Sequence, residues 1–266
     1  FAQALDAYQN AVKLAPQDIE AQSAVGDTNL ALGRFAEAAT AYEQSVRLQP
    51  NNSAAYSNLG FAYDKLGKGS ESIAALRNAV NLDPNDAVAF NNLGAALYKA
   101  GRYQEAIEAF NNAVRLQPND ADALNNLGAV LYVVEQYDRA VQNFLRSIAA
   151  KADSADAYYN LGNAYYMTGK HREATVAYRR AIQLRSDYIE ARINLGSLLI
   201  ALGEHRNAIT ELQESIRLGA NSPVAHNNLG YAYVRLAETS NRETATQYLR
   251  QAVDSYREAL LFIALT

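Results

Sequence analysis

The chain has 266 residues, 49% of them hydrophobic, with five prolines, no cysteine and no tryptophan. That is apolar enough to fold, and it excludes disulfides and cysteine zinc sites. The formal charge of -4 divides as -5 over residues 1–154 and +1 over residues 155–266, which argues against wholesale phosphate or nucleic-acid binding. No run of about 18 apolar residues and no signal-peptide pattern occurs, so no membrane span is expected.

Along the chain, residues 1–18 read as the second half of a repeating unit, through Phe1, Ala4, Tyr8, Ala11 and Pro16. The absence of an initiator methionine suggests a processed chain or a piece of a longer one. From Ile19 a 34-residue period sets in, with units starting at Ile19, Ser53, Ala87, Ala121, Ala155, Ile189 and Pro223. Each carries a glycine at the same place: Gly26, Gly60, Gly94, Gly128, Gly162, Gly196 and Gly230.

Every unit reads as two helices. The first has alanine at its third place and apolar residues at helical spacing, as in Phe90, Leu93 and Leu97. A turn follows at Gly33, Gly67, Gly101, Gly169 and Gly203, with Glu135 the exception. The second helix carries one apolar stripe, as in Tyr103, Ala106, Phe110 and Ala113. Pro50, Pro84 and Pro118 stop it, and Asn52, Asp86, Asp120, Ser154 and Ser222 are expected N-caps for the next unit.

The 34-residue period with its Leu-Gly, alanine, aromatic and proline landmarks resembles the tetratricopeptide repeat family over nearly the whole chain. The resemblance implies an all-α fold, a right-handed superhelical solenoid of antiparallel helix pairs. It implies residues 1–18 as the second helix of a truncated repeat, 19–222 as six full repeats, and 223–266 as a seventh, modified repeat with a long apolar C-terminal helix. Departures are local: Gly69 and Ser72 replace an aromatic and an alanine, and Ala152, Ser186 and Ala220 replace the terminal proline.

A helical glycine costs about 1 kcal/mol relative to alanine, so its recurrence points to close packing. The expectation is that Gly94 faces the small Ala106 and Ala113 and lets helix backbones approach. Stepping 100° per residue from Leu93 places Ala89, Phe90, Leu97 and Ala100 in the core, and Val88, Asn91, Asn92, Ala95, Tyr98 and Lys99 outward.

Repeated through the units, the outward face holds a row of asparagines, Asn58, Asn92, Asn126, Asn160, Asn194 and Asn228, with Ala24 the one departure. A second row holds Tyr98, Tyr132 and Tyr166, flanked by Lys65, Lys99 and Met167. Phe61, Tyr159, Asn163 and Tyr231 add to the same face. Amides donate and accept, so such a ladder suits the main chain of an extended peptide, with tyrosines supplying contact area. The other reading of the asparagines is that each ties one helix to its neighbour. Relatives that clamp the acidic tails of heat-shock chaperones use lysine and arginine on this face. Here Glu20, Asp122, Asp156 and Glu190 stand there, so that clamp is not expected.

Other signals carry no chemistry. "GKGS" at residues 67–70 lacks the earlier glycine and the preceding strand of a phosphate loop. His171 and His205 occupy equivalent places where the family has an aromatic, and packing accounts for them better than a metal. His226 stands alone, and the sequon at Asn51 overlaps a helix cap. No nucleophile, base and orienting group can be assembled, so neither catalysis nor a cofactor is expected. At the C-terminal end, Ser240 and Glu243 form a capping-box pattern before a tail, "ALLFIALT", that is apolar on every side and is expected to be buried by further chain or by self-association.

The resulting expectation is a non-catalytic adaptor that binds a protein or peptide partner in its groove. The alternatives are the targeting arm of a larger enzyme and a scaffold that homo-oligomerises through its ends.

Overall fold

The computed structural model describes residues 2–220 and 222–264, with side chains for all of these except 262–264. Among the described residues the regular structure is entirely helical: α1 (Ala2–Leu14), α2 (Ile19–Ala31), α3 (Phe35–Leu48), α4 (Ser53–Lys65), α5 (Gly69–Leu82), α6 (Ala87–Lys99), α7 (Tyr103–Leu116), α8 (Ala121–Val133), α9 (Tyr137–Ala150), α10 (Ala155–Met167), α11 (His171–Leu184), α12 (Ile189–Ala201), α13 (His205–Arg217), α14 (Pro223–Glu238) and α15 (Arg242–Ala264). They fall into two compact units, Phe1–Gln136 with α1–α8 and Tyr137–Thr266 with α9–α15. Even-numbered helices are the first of each repeat and odd-numbered helices the second.

Within each unit packing follows the chain. α2 packs on α3, α4 on α5 and α6 on α7 in one unit; α10 packs on α11, α12 on α13 and α14 on α15 in the other. Each second helix also touches the next first helix, as α3 touches α4 and α11 touches α12, and first helices touch one another along α2, α4, α6 and α8. Contact confined to chain neighbours makes the fold an all-α repeat solenoid.

The local sequence explains where helices start and stop. Asp18, Asn52, Asp86, Asp120 and Ser154 each accept a hydrogen bond from a main-chain N–H in the first turn of the next helix, as Asp86 does from Ala89 at 2.9 Å. Ser222 makes no such bond; α14 instead opens on Pro223, whose fixed φ suits a first helical position where an N–H would go unpaired. Ser240 is not a cap either: its hydroxyl turns back to the Leu236 carbonyl at 2.7 Å, and Asn241 caps α15 through the Thr244 N–H.

Gly33, Gly67, Gly101, Gly169 and Gly203 adopt φ of 71–78°. After each, the next N–H reaches back five residues, as Arg102 does to Leu97 at 2.9 Å, which satisfies a free helical carbonyl. Glu135 makes the same turn at φ 61°, a conformation that opposes its side chain.

The recurrent glycine of the first helix is a socket. A Cβ built on Gly94 would lie 2.7 Å from two ring carbons of Phe110, so the expected partners, Ala106 and Ala113, are not what it accommodates. Those alanines are fully buried beside the ring, one turn before and after it. The arrangement recurs, with Tyr42 on Gly26, Leu76 on Gly60, Tyr178 on Gly162, Leu212 on Gly196 and Tyr256 on Gly230. Burying an aromatic ring or leucine stabilises by about 1.5–3 kcal/mol, which outweighs the glycine's cost of about 1.

Two further details complete the core. Ser72, the substitute for alanine, is fully buried and donates to the Gly60 carbonyl at 2.8 Å. Ala100, expected in the core, sits at the C-cap of α6 and is exposed, since the helix ends before its side chain reaches α7. Of the apolar tail, Ala259 is buried while Leu260 and Leu261 are 64% and 54% exposed, and residues 262–266 lie outside the described side chains.

Gly94→Ala is expected to destabilise by about 1–3 kcal/mol in urea unfolding despite alanine's better helix propensity, because Phe110 must move. Gly69→Ala, which meets nothing within 4 Å, is the control and is expected to stabilise slightly. Glu135→Gly is expected to raise stability by about 1 kcal/mol by removing left-handed strain.

Candidate functional site: the outward face of the first helices

Outward positions of the first helices come in two kinds, those engaged within the fold and those left open. Most of the asparagine row is engaged. The Nδ2 of Asn58 donates to Asp27 Oδ1 at 3.2 Å, and that of Asn126 donates to Asn91 Oδ1 at 3.1 Å. In the second unit Asn194 donates to Asn163 Oδ1 at 3.0 Å and to the Tyr159 hydroxyl at 3.2 Å, and Asn228 donates to Ser197 Oγ at 2.7 Å. Each acceptor belongs to the preceding first helix, so these amides tie consecutive repeats. Asn160 is half-buried with partners of its own. Among the described residues Asn92 makes no side-chain hydrogen bond; the place that offers Asp27 to Asn58 offers it Phe61.

Where the socketed residue is a tyrosine, its hydroxyl joins the same network. Tyr42 donates to Asp27 Oδ1 at 2.6 Å, the atom that also accepts from Asn58. Tyr178 donates to Asn163 Oδ1 at 2.7 Å, the atom that accepts from Asn194. Where the socket holds Phe110, which has no hydroxyl, the facing residue is Ala95. Asn163 is therefore a structural acceptor.

Tyr159 is likewise enclosed. Its ring lies 4.9 Å from that of Tyr188 and 6.1 Å from that of Tyr178. Tyr188 donates to Asp156 Oδ1 at 2.9 Å, and Arg185 pairs with the other carboxylate oxygen at 2.9 Å while lying 4.4 Å over the Tyr188 ring. Arg185, with Tyr188, holds the Asp156 carboxyl below its usual range. Sequence reasoning saw Asp156 only as an unfilled clamp position. Arg185 and Tyr188 lie in the next inter-repeat turn, where helical spacing gives no signal.

The second row is more open. Tyr98 is 36% exposed and packs on Tyr103 at 5.8 Å, and Tyr166 is 47% exposed and packs on His171 at 5.5 Å. Tyr132 is half-buried, while Met167 and Tyr231 are exposed. Lys99 is not free, since its ammonium binds Asp64 of the preceding first helix at 2.7 Å. Lys65 lies 5.1 Å over the ring of Phe61. On the face that carries Asn92, Val88 and Tyr98 are exposed and Phe61 and Ala95 are half-buried, an apolar surface beside the amide. Among the described residues no group of three His, Cys, Asp or Glu is placed to hold a metal, and no helix is long and apolar enough to cross a membrane.

A helical solenoid with glycine sockets at 34-residue intervals defines the class, and the comparisons define the family. A model described as "TPR repeat" matches residues 26–67, 65–101, 96–133, 135–169 and 196–236, and one described as "Tetratricopeptide repeat" matches 155–188. The chain belongs to the tetratricopeptide repeat family, whose fold is that of a protein-interaction scaffold and whose repeats are generally non-catalytic.

Among solved structures it is similar to YrrB, described as "a TPR protein with an unusual peptide-binding site", at 25% identity and TM-score 0.59, over 72% of this chain and 97% of that one. It is similar to MamA (41-end) from Desulfovibrio magneticus RS-1 at 27% identity and TM-score 0.59, over 62% and 94% of the two chains. The APC/C hetero-tetramer Cut9–Hcn1 shares the fold at 21% identity and TM-score 0.70, over 86% of this chain, which spans 45% of that one. Curated protein sequences give no match.

Three of the phenols predict the pH response. Burial first, and then the carboxylates of Asp27, Glu43 and Asp156, raise Tyr42, Tyr63 and Tyr188 above the usual 10, Tyr63 to about 12. A phenol raised by folding contributes stability that is present below about pH 10 and lost above it, as the unfolded chain ionises first. Thermal melts are expected to shift down steadily above about pH 10, and less steeply in Tyr42→Phe.

Proposed function

We propose that the chain is an adaptor that binds an extended peptide segment along the outward face of α4, α6 and α8. The observation that carries this reading is Asn92. Its repeat-mates Asn58 and Asn126 are tied to neighbouring helices, whereas Asn92, which shares its face with Val88, Ala95 and Tyr98, forms no side-chain hydrogen bond among the described residues. An amide that donates and accepts suits a peptide main chain of any sequence, and the apolar groups beside it suit alternate side chains. Tyr98 and Tyr132 supply contact area at small entropic cost, and the Lys65 and Lys99 ammonium groups, held by Phe61 and Asp64, border the surface. YrrB's described peptide-binding site supports the choice of a peptide as ligand class.

The engaged asparagines sharpen the test. Asn126→Ala removes a tie between α6 and α8 and is expected to cost about 1 kcal/mol of stability, so loss of binding in that variant is ambiguous. Asn92→Ala breaks no hydrogen bond of the fold among the described residues. Peptides selected by the parent from a displayed random library are expected to bind Asn92→Ala and Tyr98→Ala at least about tenfold more weakly, a loss of about 1.4 kcal/mol, with melting unchanged in Asn92→Ala and lowered in Tyr98→Ala, which gives up its packing on Tyr103. Parent-like affinity in both variants overturns the reading.

A further inference from the structure

The opposite side of α10 forms a recess that the proposed groove does not use. Tyr158, Leu161 and Tyr165 line it from α10, and Arg172, Glu173, Val176 and Ala177 line it from α11, around an open volume of about 350 Å³. At 100° per residue Tyr158 and Tyr165 lie about 140–160° around α10 from Asn163, so this recess and the outward face are separate surfaces.

Three observations set it apart from the same place in other repeats. Val176 is 68% exposed, where the corresponding residues are Thr40, Ala74, Glu108, Gln142 and Thr210, polar or small. The hydroxyls of Tyr158 and Tyr165 make no hydrogen bond among the described residues, whereas Tyr63, in the place of Tyr165, donates to Glu43 at 2.8 Å and Tyr233 accepts from Gln213 at 2.8 Å. The residue of α9 in the place of Glu43 and Gln213 is Leu145, which is 44% exposed. An apolar group thus replaces the tyrosine's polar partner.

The rim is cationic. α11 carries Arg172, Arg179 and Arg180 against Glu173 alone. Arg172, Val176 and Arg180 follow one another at four-residue spacing on one helix face, which sets a guanidinium on each side of the exposed valine. Arg172 forms no ion pair among the described residues, and Arg180 lies 6.0 Å from the Tyr158 ring with only Gln183 as a hydrogen-bond partner. Lys170 adds charge 5.9 Å from the Tyr165 ring, with Asp138 3.9 Å away.

We propose that this recess docks an acidic amphipathic peptide segment. One aliphatic or aromatic side chain packs on Val176 between the tyrosine rings, and flanking carboxylates engage Arg172, Arg180 and the tyrosine hydroxyls. Charge complementarity selects the acidic class, and the exposed apolar floor demands more than charge.

The test uses fluorescence anisotropy with the whole chain and a short labelled peptide of glutamates and aspartates around a central Leu-Phe pair. Saturable binding is expected, weakening with added salt, and falling at least about tenfold in Val176→Glu and in Arg180→Glu and on replacing the Leu-Phe pair by alanines. Both variants alter exposed side chains, and their circular dichroism and melting are expected to match the parent. Asn92→Ala is expected to bind the probe as the parent does, which separates this surface from the proposed groove. Absence of saturable binding, retention of affinity in Val176→Glu, or equal affinity for polyglutamate overturns the proposal.

Discussion

The structure depends on one contact, a ring or leucine of the second helix seated on the glycine of the first, seen at Gly26, Gly60, Gly94, Gly162, Gly196 and Gly230. The contact spans 16 residues at the five of these from Gly26–Tyr42 to Gly196–Leu212. A side chain of even one carbon on the glycine would overlap its partner, so the two helices meet at one depth and in one register. The flanking alanines, Ala106 and Ala113 around Phe110, are fully buried because the helices are that close. In the last repeat the same glycine receives Tyr256 from a position 26 residues on, which shows the socket preserved while α14 and α15 are lengthened around it.

The socket also organises the polar layer above it. When the seated residue is Tyr42 or Tyr178, the hydroxyl emerges beside the residue one position past the glycine, and that residue is Asp27 or Asn163. The same oxygen then accepts the asparagine of the next repeat, so a contact within one repeat is joined to a contact between two. In this way the outward asparagines serve the solenoid, and a surface that looks like a uniform ladder in the sequence is mostly architecture.

The period, the helix pairs, the turn glycines and most caps were legible in the sequence, because each depends on residues within a few positions of one another. Contacts that depend on how neighbouring repeats superpose were not. Gly94 was assigned to Ala106 and Ala113 because small residues suggest backbone approach, while the structure uses the missing side chain to admit Phe110. The asparagine row left two readings open, since its partners lie 31 or 35 residues back and change identity from Asp27 to Asn91 to Ser197. Asp156, Arg185 and Tyr188 come together across an inter-repeat turn, where neither helical spacing nor the 34-residue period places them side by side.

A repeat protein supplies its own controls, and the functional argument follows from them. Asn58, Asn92 and Asn126 occupy equivalent places, and among the described residues two donate to the preceding first helix and one does not. Tyr63, Tyr165 and Tyr233 differ in the same way, two paired to a polar group and one facing Leu145's place and Val176. A position whose counterparts are satisfied, and which is itself unsatisfied or apolar without gain to the fold, has lost stability relative to its own repeat-mates. The period does not account for that difference, and the proposed partner surfaces supply a reason for it. This comparison of repeat-mates is why a partner is proposed for the surface around Asn92 in one unit and for the surface around Val176 in the other.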